Sequence, residues 1–238
     1  VRYYTRVCNF HYGIKSRSLI KKKKSLCLNG NNEISFDQIE IISRKSKKII
    51  SINQIKNLPN HIKKKVKEDI KNITRKKFLK NLKLSSTPNI MGVLNITPDS
   101  FSDGGKYNKL NLAKKHLDYL FSCGANLVDI GGESTRPGSK AISPYLEWKR
   151  IKKILDKIGS KKVLSLDTRK SEVMEKGINS GVKFINDVSG LNYDKNSINI
   201  LKKFKTPFVL QHSLGNPDVM QNNPKYKNVL LDIYDFFE

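Results

Sequence analysis

Five short apolar runs, separated by segments of helical periodicity, constrain the fold of this chain more than any other feature. The runs are IMGVLNI (90–96), NLVDIGG (126–132), KVLSLD (162–167), FINDVS (184–189) and PFVLQH (207–212). Apolar residues at helical spacing follow four of them, for example over 112–120 and 148–158. This alternation predicts parallel strands joined by helical crossovers. The nearly continuous apolar character of the runs predicts strands that are covered on both faces.

Each run carries a polar side chain at or near its C-terminal end. These residues are Asn95, Asp129, Asp167, Asn186 and His212. In a parallel sheet or a barrel, ligands bind at that end of the strands. A buried polar group without a partner costs about 1–3 kcal/mol. One shared ligand pocket therefore explains the five residues more simply than five separate structural hydrogen bonds.

The length of the strand-rich region limits the architecture. Five strand–helix units occupy residues 89–238, whereas a closed eight-stranded barrel typically needs about 250 residues. The sequence therefore predicts an α/β fold that is either a smaller open sheet or a barrel cut short.

The first 88 residues have a different texture. They hold 23 Lys and Arg against five Asp and Glu, whereas residues 89–238 hold 23 against 16. Alternating residues around an Asn-Gly pair predict a β-hairpin over 25–43. Residues 61–84 predict a Lys-rich helix with one thin apolar edge. The SSTPN segment (85–89) favours a loop, so we expect a basic extension over 1–88 and a second domain over 89–238.

Overall charge and cysteine usage exclude several classes of function. The net charge of +25 comes with heavy use of Lys, Asn and Ile throughout, and no basic stripe is interleaved with aromatic residues. We interpret it as compositional bias and solvated surface rather than a nucleic-acid site. Cys8, Cys27 and Cys123 fit neither a disulfide framework nor a zinc site, which favours a reducing, cytoplasmic location. No apolar run approaches the roughly 20 residues of a membrane span.

Four stretches are specific enough to suggest a family. MGVLNITPDSFSDGG (91–105), VDIGGESTRPGS (128–139), SLDT (165–168) and INDVSG (185–190), in this order, together resemble dihydropteroate synthases. The resemblance implies a (β/α)8 TIM barrel, of which this chain holds about five of the eight units. It also implies an enzyme of folate biosynthesis that joins p-aminobenzoate to 6-hydroxymethyl-7,8-dihydropterin diphosphate and releases diphosphate. The expected partners are these small molecules and Mg²⁺, with no nucleic acid or membrane, and a homodimer when the protein is full length.

The resemblance assigns roles residue by residue. Asn95 corresponds to the family's asparagine that helps to hold Mg²⁺ and diphosphate, and oxygen ligands suit Mg²⁺. Thr135 and Arg136 correspond to the pair that faces the diphosphate, for which the planar Arg fork is suited. Asp103 and Arg136 are the residues we expect to support the reaction directly, and no strong protein base is required.

The same comparison predicts how the two rings are held. Asp167 and Asn186 would read the aminopyrimidine edge of the pterin, because a carboxylate accepts hydrogen bonds and an amide both accepts and donates. Val188 would line the pterin face. Phe101 and Pro137 would enclose the p-aminobenzoate ring.

Two departures from the family pattern concern the fifth run and the end of the chain. Gln211 stands where Met is common in the family, and Leu214 stands where a polar or basic residue is common. The family's strand-6 aspartate, Ser-Arg-Lys segment and C-terminal Arg-x-His would lie beyond Glu238. We therefore expect the 238-residue chain by itself to be inactive or poorly folded.

Two other interpretations remain open from the sequence. A pterin-binding barrel of the methyltetrahydrofolate methyltransferase type shares the Asp and Asn pterin readers, but it has no need of the ESTR or SFSDGG segments. A non-catalytic protein with a basic arm would bind an acidic partner or nucleic acid, with strong dependence on salt.

Overall fold

The computed structural model describes residues 1–77, 89–97, 106–134, 139–158, 162–212 and 225–238, with the backbone alone at 106–109. The chain divides into two units, Val1–Phe78 and Leu79–Glu238. The boundary predicted at residue 88 lies outside the described residues and stays a prediction. In the part of the chain that the structure describes, no helix combines the length and apolar character that a membrane span requires.

The first unit is an antiparallel sheet with two helices. In chain order its elements are β1 (Tyr4–Tyr12), α1 (Gly13–Lys21), β2 (Leu26–Leu28), β3 (Asn31–Ile42), β4 (Lys47–Ser51), a 3₁₀ helix (Ile52–Asn57) and α2 (Asn60–Thr74). The long strand β3 is central: β1 pairs along one side, and β2 and β4 pair with its two halves on the other.

The predicted hairpin is confirmed as β2 and β3. Asn29 and Gly30 both have positive φ, 52° and 68°, which matches the twist that a two-residue hairpin loop needs. The apolar edge predicted for the basic helix is also confirmed, since Ile62, Val66 and Ile70 of α2 pack in the core of the sheet.

Two features of this unit differ from the sequence analysis. The helix predicted over 61–84 ends at Thr74, where Arg75 adopts extended backbone and residues 78–84 are outside the described part. The sequence analysis also assigned no element to β1 and α1. Among the residues of α1 only Ser16 is buried, so the helix carries little apolar periodicity for sequence reasoning to detect. The Ser16 hydroxyl donates a hydrogen bond to the Asn32 carbonyl oxygen at 2.8 Å.

The second unit alternates strands and helices as predicted. Its elements are β5 (Met91–Asn95), α3 (Lys106–Ser122), β6 (Leu127–Gly131), α4 (Pro144–Ile158), β7 (Leu164–Asp167), α5 (Ser171–Asn179), β8 (Phe184–Asp187), α6 (Ser197–Phe204), β9 (Phe208–Leu210) and α7 (Val229–Phe237). The five strands are parallel and adjacent in chain order. Consecutive order is that of a (β/α)8 barrel, and within the described ranges the sheet is open.

One face of this sheet packs under the helices. Leu94, Ile130, Leu166 and Ile185 are register neighbours across β5–β8 and are at most 1% exposed. They form the centre of the core with apolar residues of α3–α6. Each such side chain contributes roughly 1.5–3 kcal/mol through burial, and together they fix the register that positions the opposite face.

Two predictions about the second unit need correction. The strand β5 is not covered on both faces: Met91, Val93 and Asn95 are exposed and alternate with buried residues. As an edge strand, β5 buries in the described structure only its helix-facing side. Helix α5 was missed because Gly177 weakens its helical pattern. Close packing requires that glycine, since a Cβ there would lie 2.4 Å from Leu166 Cδ2.

Candidate functional site

Four residues form a row at the C-terminal ends of adjacent strands, which we call the rim row: Asn95, Gly131, Asp167 and Asn186. Each is the register partner of the next across β5, β6, β7 and β8. Register partners on parallel strands lie on the same face of the sheet. The rim row therefore contains three of the five polar residues that the sequence placed at strand ends.

Gly131 lets the side chains on either side of it converge. A Cβ at this position would lie 3.0 Å from Asn95 Oδ1 and 3.6 Å from Asp167 Oδ2. Both oxygens lie above the glycine, and a Cβ there would press against Asn95 Oδ1 while making an ordinary contact with Asp167 Oδ2. The rim row is therefore a small group of polar side chains gathered on one face of the sheet.

Asp129 lies one pair below the rim row and completes the group. It is two residues before Gly131 on β6, so it shares the face of the row. The side chain is 5% exposed, and its Oδ2 accepts a hydrogen bond from Asn186 Nδ2 at 2.8 Å. Its register partner on β7 is Ser165.

One buried oxygen in this group, Asp167 Oδ1, lacks a hydrogen-bond partner among the described residues. The Asp129 carboxylate and the Ser165 hydroxyl, by contrast, interact with each other across the β6–β7 pair. Buried polar atoms in native proteins are nearly always paired with protein, water or ligand. The unpartnered Asp167 Oδ1 therefore indicates a ligand-binding site with capacity to accept a hydrogen bond.

Burial and mutual repulsion alter the acidity of the two aspartates. Burial, with the nearby Asp129 carboxylate as the next contribution, raises the pKa of Asp167 to about 8. Burial also raises the pKa of Asp129, and the hydrogen bonds from Ser165 and Asn186 act in the opposite direction. At neutral pH Asp167 therefore holds a proton in the free protein, and a ligand that donates N–H groups would favour its ionised form.

The loop after β8 is held by Asp187, the last residue of that strand. Asp187 Oδ1 accepts from Ser189 N at 2.8 Å and Ser189 Oγ at 2.6 Å, and Oδ2 accepts from Leu191 N at 3.2 Å. Val188, which the sequence analysis placed on the face of a ring, lies half-buried in this fixed turn. Val188 directly follows β8 and is two residues after Asn186 of the rim row. Its predicted role on the face of the pterin stays a prediction.

A buried ionic network that the sequence analysis did not identify lies beside the rim row. Lys170 Nζ lies 2.5 Å from Glu147 Oε2 and 2.9 Å from Glu133 Oε1. Arg169 Nε donates to Glu133 Oε2 at 3.1 Å. One indication of this network was available in the sequence, which is that Glu133 and Lys170 are both close in the chain to strand ends: Glu133 follows Gly132, and Lys170 is three residues after Asp167.

This network ties the loop after β6 to the loop after β7. Glu133 Oε1 also accepts from Ile142 N at 2.9 Å, and the Arg150 guanidinium donates to Gly132 O at 2.8 Å. Burial acts to raise the pKa of Glu133, but the Ile142 N–H, Lys170 and Arg169 outweigh it and hold that pKa below its usual range. The described ends of both loops are therefore fixed relative to the rim row.

Five predicted site residues cannot be placed. Phe101, Asp103, Thr135, Arg136 and Pro137 lie outside the described residues, as does the departure at Leu214. Their roles remain predictions from the sequence.

His212 occupies an aromatic environment. Its Nε2 lies 3.0 Å from Tyr226 Oη, and its ring centroid is 4.6 Å from that of Phe236 on α7. The neighbouring Gln211 is exposed, and a Cβ on Gly190 would lie 2.6 Å from the Gln211 backbone oxygen. His212 Nδ1 is buried and has no hydrogen-bond partner among the described residues, so these contacts assign His212 no role in the site.

Comparison with known proteins identifies the family. The family model described as "Pterin binding enzyme" matches residues 91–238, which is more than half of the chain.

The chain belongs to the pterin-binding enzyme family.

Similar proteins in this family include dihydropteroate synthases. That of Neisseria meningitidis serogroup B is 43% identical over 150 residues, covering 61% of this chain and 52% of the relative. Two solved structures agree in fold. A Clostridium difficile dihydropteroate synthase studied with pteroic acid gives a TM-score of 0.59 at 36% identity, over 65% of this chain and 57% of that one. A Xanthomonas albilineans enzyme with 4-aminobenzoic acid gives 0.57 at 36% identity, over 64% and 54%.

The likeness confirms the partial barrel and covers the second unit. The chain spans about half the length of the curated pterin-binding relatives it matches. Its rim row lies within the matched region.

Proposed function

We propose that this chain carries the pterin-binding strands of a dihydropteroate synthase. Such an enzyme is a transferase that joins p-aminobenzoate to 6-hydroxymethyl-7,8-dihydropterin diphosphate and releases diphosphate. The observation that carries the proposal is the rim row with the buried, unpartnered oxygen Asp167 Oδ1. The pterin-binding relatives named above, with pteroic acid and 4-aminobenzoic acid in their structures, support the same substrates.

The acceptors of the rim row suit the aminopyrimidine edge of a pterin. That edge presents an N–H and an adjacent amino group, both of which donate hydrogen bonds. Asp167 Oδ1 is buried and has no partner among the described residues, so it is available to accept. Asn186, on the neighbouring strand, uses one amide N–H for Asp129 and retains its carbonyl oxygen for a ligand.

The diphosphate would bind at the β5 end of the row. Asn95 presents Oδ1 above Gly131. Thr135 and Arg136 come shortly after Glu133 in the sequence, and Glu133 accepts a hydrogen bond from Ile142 N. Among the described residues no group of three or more His, Cys, Asp or Glu could hold a metal ion. A single amide oxygen nevertheless suits Mg²⁺, which keeps several waters and prefers oxygen ligands. Asn95 would be the ligand, and the bound ion would neutralise charge on the diphosphate.

The proposed reaction needs positioning more than a strong base. The C–O bond between the pterin methylene and diphosphate breaks, the aryl amine forms a C–N bond at that carbon, and the amine loses a proton. Asp167 and Asn186 would orient the pterin, and Arg136 would stabilise the departing diphosphate. Phe101 and Pro137 would hold the p-aminobenzoate ring and exclude water, with Asp103 supporting this arrangement.

Titration with pteroic acid tests the proposal. The unaltered protein is expected to bind it, and Asp167→Asn should weaken binding roughly ten-fold or more, because a hydrogen bond to a charged acceptor is worth about 1.5–3 kcal/mol. The matched control is Asp118→Asn on α3, a surface aspartate paired with Lys114 and Lys162. Equal affinity in the Asp167 and Asp118 variants would refute a pterin site at the rim row.

We further propose a cytoplasmic location. All three cysteines of the chain, Cys8, Cys27 and Cys123, are free thiols in the structure. Free thiols are typical of a reducing compartment.

A further inference from the structure

The pairing of Asp129 with Asn186 is the most specific polar contact beneath the rim row. The two residues are 57 positions apart and lie on strands separated by β7. Their hydrogen bond, from Asn186 Nδ2 to Asp129 Oδ2, is 2.8 Å long and largely shielded from solvent at the Asp129 end. Ser165, the register partner of Asp129, has a buried hydroxyl that interacts with the same carboxylate.

This contact decides how the amide of Asn186 is oriented. An asparagine amide has a donating NH₂ and an accepting C=O of nearly equal size, so a half-turn about the last bond exchanges the two. An ionised carboxylate only accepts hydrogen bonds. Facing Asp129, the amide must therefore turn its nitrogen towards β6, and its oxygen is left for the other side.

We propose that Asp129 is a positioning residue that fixes the Asn186 amide with its oxygen towards the ligand, so that the site selects an N–H donor at this position. The proposal rests on the proposed function for the identity of that donor, an N–H of the pterin. Without Asp129 the amide could present NH₂ or C=O, and a ligand with an acceptor there would compete.

A purely structural role for the contact predicts different behaviour from a positioning role. If the hydrogen bond only stabilises the sheet, any substitution that keeps the protein folded leaves ligand affinity unchanged. If it sets the direction of the amide, affinity follows the direction of the hydrogen bond. Exchanging the two side chains separates these cases.

The experiment compares Asp129→Asn, Asn186→Asp and the double exchange by titration with pteroic acid. Asp129→Asn should bind roughly 3- to 10-fold more weakly, because an amide at 129 accepts either orientation of Asn186. Asn186→Asp should be weakest, since it opposes two carboxylates. In the double exchange the amide at 129 donates to the carboxylate at 186, whose other oxygen again accepts, so affinity should recover to within about 3-fold of the unaltered protein.

Folding and specificity are controlled separately. The fluorescence of Trp148, the single tryptophan of the chain, reports whether each variant retains the second unit. Asp118→Asn, with its exposed ion pairs on α3, applies the same chemical change away from the site and should leave affinity unchanged. A folded double exchange that binds no better than Asp129→Asn would overturn the positioning role.

Side-chain amide NMR in the absence of ligand gives a second readout that does not depend on the proposed function. The Asn186 NH₂ resonances are assigned by their loss in Asn186→Asp, and spectra are taken at about pH 8 because burial raises the pKa of Asp129. One amide proton should lie downfield and exchange slowly, and it should move upfield in Asp129→Asn. Absence of that signal in the unaltered protein overturns the proposal. Its presence without any binding of pteroic acid supports the positioning role and refutes the pterin function.

Discussion

Replacing Lys170 by methionine should destabilise the second unit far more than any surface substitution. The ammonium group is buried, with 3% of the side chain exposed, between Glu147 and Glu133. Methionine fills a similar volume but leaves the two carboxylates without this cation. The two carboxylates lose different shares of their stabilisation, because Glu133 keeps hydrogen bonds from Arg169 and from the Ile142 N–H.

The main cost falls on Glu147. Its side chain is fully buried, its Oε2 is bound by Lys170, and its Oε1 has no hydrogen-bond partner among the described residues. Removing one partner of a buried ion pair typically costs about 3–5 kcal/mol. For a unit of this size, each kcal/mol corresponds to roughly 2–4 °C in Tm. The expected fall in Tm is therefore about 6–20 °C.

Urea unfolding followed by Trp148 fluorescence measures the effect, since Trp148 packs against the core of the second unit beside Glu147. The matched control is Lys203→Met, which breaks the exposed Lys203–Glu175 pair at 2.8 Å and should change the free energy of unfolding by less than about 0.5 kcal/mol. The double variant Lys170→Met with Glu147→Leu should recover at least about 2 kcal/mol, because apolar replacement removes the unpaired charge.

The pH dependence of this variant provides an internal check. An unpaired buried carboxylate has a folded-state pKa above its unfolded value, so the unfolded state releases its proton first and stability falls as pH rises between the two values. The deficit of Lys170→Met should therefore be smaller at pH 5 than at pH 8. A loss below 1 kcal/mol at pH 8, or a loss equal to that of Lys203→Met, would refute the reasoning.

Three further outcomes follow from the structure. Gly131→Ala should weaken the binding of inorganic diphosphate with Mg²⁺ roughly ten-fold with little loss of stability, since its Cβ would lie 3.0 Å from Asn95 Oδ1; calorimetric titration checks this. Asp167→Asn should stabilise the second unit by at least about 1 kcal/mol at pH 8 and by less at pH 5. The reason is that the pKa of Asp167 is raised to about 8, so the native unit loses stability as the pH rises from about 4 to 8. Urea unfolding at both pH values tests the sign. Gly30→Ala should destabilise the first unit by roughly 1–2 kcal/mol, because Gly30 has φ +68° and its Cβ would lie 2.6 Å from Lys76 Cβ; amide exchange in β3 would show whether it does.

Local patterns were sufficient for most elements of the fold. The hairpin around Asn29 and Gly30 follows from turn chemistry, which involves only neighbouring residues. The five strands and the helices α3, α4, α6 and α7 follow from apolar periodicity. Helix α5 shows the limit of such patterns, because Gly177 disfavours a helix locally and is required by contact with Leu166.

Some residues of the candidate site could likewise be predicted from local patterns, and others could not. Asn95, Asp167 and Asn186 could be predicted because each lies at or next to the end of its own strand, and parallel strands end at one edge. The sequence also placed Asp129 at a strand end, but its pairing with Asn186 depends on register across two intervening strand contacts. The ionic network of Lys170 with Glu133 and Glu147 likewise joins segments from three different loops and helices.

The sequence by itself determined the order of strands and helices, the polar residues at the strand ends and the family to which they belong. These properties depend on residues that are close together in the chain, so periodicity and motif spacing are sufficient to predict them. Only the tertiary structure decided which acceptors remain unpartnered, how Asn186 is paired and why Gly131 and Gly177 lack side chains. Those properties depend on distances between residues that are remote in sequence, and packing and register alone set such distances.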